Sequence, residues 1–273
     1  MVFLSKQILK DKAFIIQKSK ICKKTKIEFG CGLIRIGRVW GVDSKEVPTE
    51  KEAIEFLEFA FSQGVRFFDT APAYGLSESR LGKFINQLTH DEKDQVVIAT
   101  KFGEHWNNNT QDTYVDHSYN GLVSSIEKSM KLLGKISILQ LHKASVSLLT
   151  NDEVSRAFAY AQTIGIKLLG VSVSDIETGL LSCEDERLSY IQLPYNQERA
   201  NLLPVISKAK EKNKQILFNR PLAMGAIFHS TEKTKDIYDA FSFISETQAK
   251  GILLSGTASI QHLRENIEVF KSL

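Results

Sequence analysis

At 273 residues, with 42% hydrophobic and 25% charged side chains, the chain has an ordinary globular composition and room for one large α/β domain. Its net charge of +3 divides unevenly: residues 1–26 hold eight lysines and one acid, Asp11, which leaves −4 on the rest. The totals argue against a nucleic-acid partner, because the basic stretch has no recognition elements, and against a membrane, because no run approaches the ~20 apolar residues of a span. Lys6, Lys10, Asp11 and Lys12 also break up any signal-peptide core. Cys22, Cys31 and Cys183 are odd in number and lack metal-ligand spacing, as for reduced thiols in the cytoplasm. Residues 1–26 therefore read as a solvated extension, and 27–273 as the domain, with no metal and a cytoplasmic location expected.

The first strand-length apolar run is IEFGCGLI (27–34). Its glycines, Gly30, Gly32 and Gly37, do not have the spacing of a Rossmann fingerprint. A capping box, Thr49–Glu52, then heads the helical pattern AIEFLEFAF, which Gly64 should stop. VRFFD (65–69) and VVIATK (96–101) follow, and after them a polar stretch, 102–117, reads as a long loop. The remaining runs are ISILQLH (136–142), KLLGVSV (167–173), YIQLPY (190–195), ILFNRP (216–221) and GILLSG (251–256). Thr150–Glu153 and Ser174–Glu177 repeat the capping-box pattern between them. None of the runs alternates strictly, as expected of parallel strands covered on both faces. Eight strands, each followed by a helix-length segment, predict a single (β/α)8 TIM barrel of the α/β class.

In such barrels the chemistry sits at the C-terminal strand ends. Those ends carry Asp69, Lys101, His142, Ser172, Gln192 and Arg220, with Tyr74 in the loop after Asp69. Each has an ordinary reading when taken alone: a turn acid, a packing tyrosine, a lysine reaching for water. Convergence is what changes it, because adjacent strands lie about 4.8 Å apart. An ammonium about 4 Å from a phenol, at an effective dielectric of 20, favours phenolate by roughly 4 kcal/mol, up to about three pKa units. Asp69 would hold that ammonium in place while weakening its field, and His142 would polarise a carbonyl oxygen. The predicted set is a proton donor aimed at an oxygen, and it lacks a hydride source.

DTAPAYG with SESRLG behind it, TK (100–101), LH (141–142), GVS (170–172) and QLPYN (192–196) resemble the aldo-keto reductase superfamily. The likeness runs from about Phe29 to Phe270, through FGCGLIRIGRVWG (29–41) and GTASIQHLRENIEVF (256–270). It implies carbonyl reduction by a nicotinamide cofactor lying across the strand ends, without a Rossmann domain. Tyr74 would be the general acid, Lys101 and Asp69 its tuning pair, and His142 the group that orients the carbonyl. Ser172 and Gln192 would hold the nicotinamide carboxamide, and Tyr195 would stack near the ring.

Three departures bear on the cofactor. Val173 follows the GVS serine where the family often has Asn. Arg220 stands where many members have a small polar residue beside the cofactor phosphates, to pair with the pyrophosphate or to occupy the substrate pocket. Around the ribose 2′-phosphate, where NADPH-preferring members place Lys and Arg, the alignment puts Gly256, Thr257, Ser259, His262, Glu265 and Asn266, with Arg264 nearby. NADP(H) is the family's default, and NAD(H) is the alternative that these residues leave open. For the substrate, Trp40 and Trp106 either line the pocket of a small polar aldehyde or sugar or pack the barrel top. The first functional reading is a carbonyl or sugar oxidoreductase. The second, from another class, is a cofactor-binding regulatory subunit docked through the lysine-rich extension.

Overall fold

The computed structural model of the chain describes residues 26–41, 46–228 and 232–273. Except for Lys26, the N-terminal extension and its Cys22 lie outside the described residues. Ten strands follow in chain order: β1 (Ile27–Gly32), β2 (Phe67–Asp69), β3 (Val97–Phe102), β4 (Glu104–Asn107), β5 (Asp112–Val115), β6 (Ile138–Leu141), β7 (Leu168–Ser172), β8 (Leu188–Pro194), β9 (Gln215–Asn219) and β10 (Gly251–Ser255). All but β4 and β5 form one closed parallel barrel in the order β1-β2-β3-β6-β7-β8-β9-β10, with β10 pairing back onto β1. The eight barrel strands fall within the eight predicted runs or within two residues of them, and the (β/α)8 expectation stands.

Helices return the chain along the outside: α1 (Glu50–Ser62), α2 (Ser77–Gln87), α3 (His90–Gln95), α4 (Tyr119–Leu133), α5 (Val146–Leu149), α6 (Asp152–Thr163), α7 (Ile176–Glu184), α8 (Leu203–Glu211), α9 (Lys233–Ser245) and α10 (Ile260–Lys271). The Thr49 capping box forms as predicted, with Glu52 N donating to Thr49 and the Glu52 carboxylate accepting from Thr49 N. The other two caps move by one residue. Asn151 Oδ1 accepts from Val154 N at the start of α6, and Asp175 Oδ1 accepts from Thr178 N at the start of α7. Asn and Asp are among the strongest N-caps, and here they displace the neighbouring Thr150 and Ser174. The segment predicted as a loop at 102–117 instead contains an antiparallel hairpin, β4 with β5.

Strand periodicity explains where the chemistry lies. Phe67, Ala99, Ile138, Tyr190, Leu217, Ile252 and Leu254 plug the barrel interior. Side chains two apart on a strand share a face, so the residues two steps beyond four of them form the next layer up: Asp69, Lys101, Gln140 and Gln192. That layer is buried and polar. The larger core lies between barrel and helices and includes Phe56, Phe84, Phe158 and Phe241. Each such side chain contributes about 1.5–3 kcal/mol by burial. Burial also pushes the Cys31 thiol up to about 12 and the Cys183 thiol up to about 11, so neither is a reactive thiolate at neutral pH.

Candidate active site

Lys101 is fully buried, and its ammonium is fixed by two acceptors. Nζ lies 2.7 Å from Asp69 Oδ2 and 2.9 Å from the Thr70 carbonyl oxygen. Gln140, which sequence reasoning passed over, donates from Nε2 to the other Asp69 oxygen at 3.1 Å. Its interior position on β6, two residues before His142, was the available signal. Tyr74 ends a 3-10 turn, Pro72–Tyr74, directly after β2. Lys101 Nζ lies 4.7 Å from the centre of its ring, and the His142 ring meets it edge-on at 5.8 Å. The structure thus brings Asp69, Tyr74, Lys101 and His142 together at the mouths of β2, β3 and β6.

The SESRLG segment anchors that turn from behind. Ser77 Oγ pairs with Thr70 Oγ1 at 2.8 Å, and Thr100 Oγ1 donates to Glu78 at 2.6 Å. Arg80 donates to the Ile36 carbonyl, which ties α2 to the loop after β1. Gly37 completes the contact: a Cβ there would fall 1.9 Å from the Tyr74 carbonyl oxygen.

Burial is the largest influence on the Tyr74 phenol and pushes it up, with Lys101 pulling against it. The expected net pull towards phenolate is therefore reversed: in an apolar surrounding the neutral phenol wins. Burial also opposes the Lys101 charge, but Asp69 and Tyr74 outweigh it and hold the ammonium above its ordinary range. Burial lowers His142, which is a neutral imidazole at pH 7. Below it lies Glu104, also missed by sequence reasoning because it sits on the unpredicted β4. Glu104 Oε2 is 2.9 Å from His142 Nδ1, off the line of a ring N–H, while Oε1 pairs with the Lys143 ammonium. Burial would raise this carboxyl, yet its partners outweigh that and hold it at about 2.

A cleft of about 1820 Å³ runs from these groups across the mouths of β7 to β10. Single-ligand pockets run to roughly 300–1,000 Å³, so this one accommodates an extended dinucleotide together with a small reactant. Ser172, Gln192, Arg220, Gly256, Thr257, Ser259, His262, Glu265 and Asn266 all line it. Gln192 Oε1 is buried without a partner, an acceptor suited to a carboxamide, and so is Asn219 Oδ1 at the mouth of β9. A Cβ on Gly256 would meet nothing within 4 Å, which leaves the wall open there. Ser259 caps α10 by accepting from His262 N at 3.3 Å, and the helix start faces the same cleft. These residues fit a nicotinamide dinucleotide.

Tyr195 is not brought to the cleft. Its ring stacks on Phe243 at 5.1 Å within the buried core, so it is not on the wall where a nicotinamide would stack. Arg264 lies 4.8 Å over the Phe59 ring, away from the cleft. Glu52 and Glu55 of α1 and Glu265 of α10 line the cleft, as Arg264 does not. Trp40 lines the main cleft, whereas Trp106 lines an adjoining recess of about 350 Å³. Between the two indoles lies Arg38, 5.1 Å from the Trp40 ring and 4.8 Å from the Trp106 ring. Among the described residues no helix is long and apolar enough to cross a membrane, and no cluster of metal-ligating side chains forms.

The chain is 31% identical over 197 residues to the aldo-keto reductase YhdN of Bacillus subtilis, a match covering 70% of this chain and 56% of that protein. It is 26% identical over 282 residues to L-galactose dehydrogenase of Arabidopsis thaliana, covering 89% and 84%. A crystal structure of an aldo-keto reductase from Pseudomonas aeruginosa superposes with a TM-score of 0.74 at 25% identity, covering 89% of this chain and 90% of that one. Residues 28–239 match the profile of the aldo/keto reductase family, over most of the barrel and all four convergent groups. The chain belongs to the aldo/keto reductase family.

Proposed function

We propose that the chain is an NAD(P)(H)-dependent oxidoreductase that interconverts a carbonyl and an alcohol on a small molecule, an aldehyde, ketone or sugar, with Tyr74 as acid and base. The observation that carries this reading is a protonated phenol beside a buried ammonium that has no exit. Tyr74 gives its proton to the carbonyl oxygen as that oxygen gains charge. Lys101, pinned by Asp69 and the Thr70 carbonyl, stabilises the phenolate left behind. In the oxidative direction the same phenolate takes the proton back. His142 sets the direction of the carbonyl from across the Tyr74 ring, and Glu104 restrains the imidazole. Ser172 and Gln192 would hold the nicotinamide, which would supply or accept the hydride. Four intact groups favour turnover over a purely regulatory role.

The ribose end of the cleft supports NAD(H) over the family's usual NADP(H). A 2′-phosphate seeks cations, and the described lining of the cleft includes Glu265 and His262 of α10 and Glu52 and Glu55 of α1, with Arg35 after β1 as a further basic residue. A carboxylate suits the free 2′-hydroxyl better. Arg220 faces the cleft from a left-handed backbone conformation, φ 53°, and serves the pyrophosphate. The test is a fluorescence titration with NADH and NADPH separately. Tighter NADH binding is the expected outcome. Tighter NADPH binding refutes the cofactor preference alone, and binding of neither refutes the oxidoreductase assignment.

A further inference from the structure

We propose that the substrate carries an anionic group, a carboxylate or phosphate, and that Arg38 anchors it beside the reacting carbonyl; this rests on the carbonyl-oxidoreductase reading of the same cleft. Arg38 is half-buried between two indole faces, which fix its guanidinium plane and remove much of its rotamer freedom beforehand. Its Nε is buried with no hydrogen-bond partner. No carboxylate lies within 4 Å of its guanidinium among the described residues. Nearby Glu104 is committed to His142 and Lys143, and exposed Asp112 accepts from Thr113 N. Glu104 and Asp112 act on its charge from a distance, and a partly desolvated charge with no close carboxylate among the described residues is costly to a fold. A ligand that completes the pair is the physical reason to keep one.

Position gives that ligand its identity. Gly37 lies against the turn bearing Tyr74, so the next residue, Arg38, enters the cleft on the proton donor's side. The guanidinium of Arg220 approaches the same Trp40 ring at 5.7 Å and adds positive potential to this rim. An arginine fork matches carboxylate and phosphate geometry, where a neutral sugar would leave the charge unanswered.

The test compares 4-carboxybenzaldehyde with its methyl ester, methyl 4-formylbenzoate, which differ in charge but little in the reacting carbonyl. The acid is expected to show kcat/KM at least about tenfold above the ester, the scale of one charged hydrogen bond. Arg38→Met should erase that advantage through KM for the acid, leaving kcat on the ester and cofactor affinity unchanged. Arg38→Lys should retain part of it. Glyceraldehyde 3-phosphate against glyceraldehyde separates the phosphate from the carboxylate source. An ester used as well as the acid by the wild type overturns the anchor alone. So does an acid preference that survives Arg38→Met, or a variant that loses cofactor affinity instead. Turnover of neither aldehyde with NADH or NADPH overturns the underlying reading too. A second measurement needs no variant: the chain's two tryptophans flank Arg38, so glutarate should change their emission saturably, and no change counts against the anchor.

Discussion

Tyr74, Lys101 and Glu104 each have an environment that decides which proton they hold. Tyr74→Phe should cut turnover by at least the ~10²-fold typical of general acid–base loss, with cofactor affinity unchanged by titration; near-normal turnover would remove the phenol from the mechanism. Glu104→Gln has a different signature. Its carboxyl is held at about 2 against an ordinary 4.5, so the unfolded state binds the proton more readily between those values. The stabilisation is complete above pH 4.5 and is lost as pH falls towards 2. At ~1.4 kcal/mol per pKa unit it amounts to about 3 kcal/mol. Denaturation midpoints of the variant should vary less across that window than those of the wild type. Asp69, Lys101 and His142 were legible in the sequence because they end apolar runs, and Tyr74 because it follows one of them in a short loop. Glu104, Gln140 and Arg38 were not, since their roles depend on partners far along the chain or on an element that was not predicted.

Among the elements, the barrel strands were readable as unbroken apolar runs, and α1 as a capped amphipathic stretch. The β4–β5 hairpin was not, because β5 is mostly exposed and neither strand carries an apolar run. The caps of α6 and α7 were misplaced by one residue, since Thr150 and Ser174 fit the pattern as well as the stronger caps beside them. One element-level prediction concerns the loop after β1. Gly37→Ala places a methyl 1.9 Å from the Tyr74 carbonyl, so the loop and the catalytic turn must separate. The expected result is a lowered Tm together with loss of turnover, by calorimetry and steady-state kinetics. A second concerns the hairpin: replacing residues 105–114 by Gly-Gly should leave the barrel folded and cofactor binding intact, because β4 and β5 pair only with each other. Substrate KM should change, since Trp106 and one wall of the Arg38 sandwich leave with it.

For the whole molecule, the groups combine into one pH profile. The Tyr74 phenol is raised and stays protonated through neutrality, so the reductive rate should hold level and fall only above the ordinary phenol value of ~10. His142 is lowered, so its neutral form persists below the ordinary ~6.5, and the acid limb should start beneath that value. A reductive kcat/KM that drops between pH 7 and 9 would contradict the raised phenol. In the oxidative direction the dependence inverts, with rates rising as the phenol gives up its proton.

Among the described residues, the apolar plug of Phe67, Ala99, Ile138 and Tyr190 closes the barrel beneath the polar layer, as in a vessel with its mouth at the top. Any proton that refills Tyr74 must come down the same opening through which the product departs. Recharging of the acid is thereby chained to unloading, and solvent deuterium should reach the phenol only between turnovers.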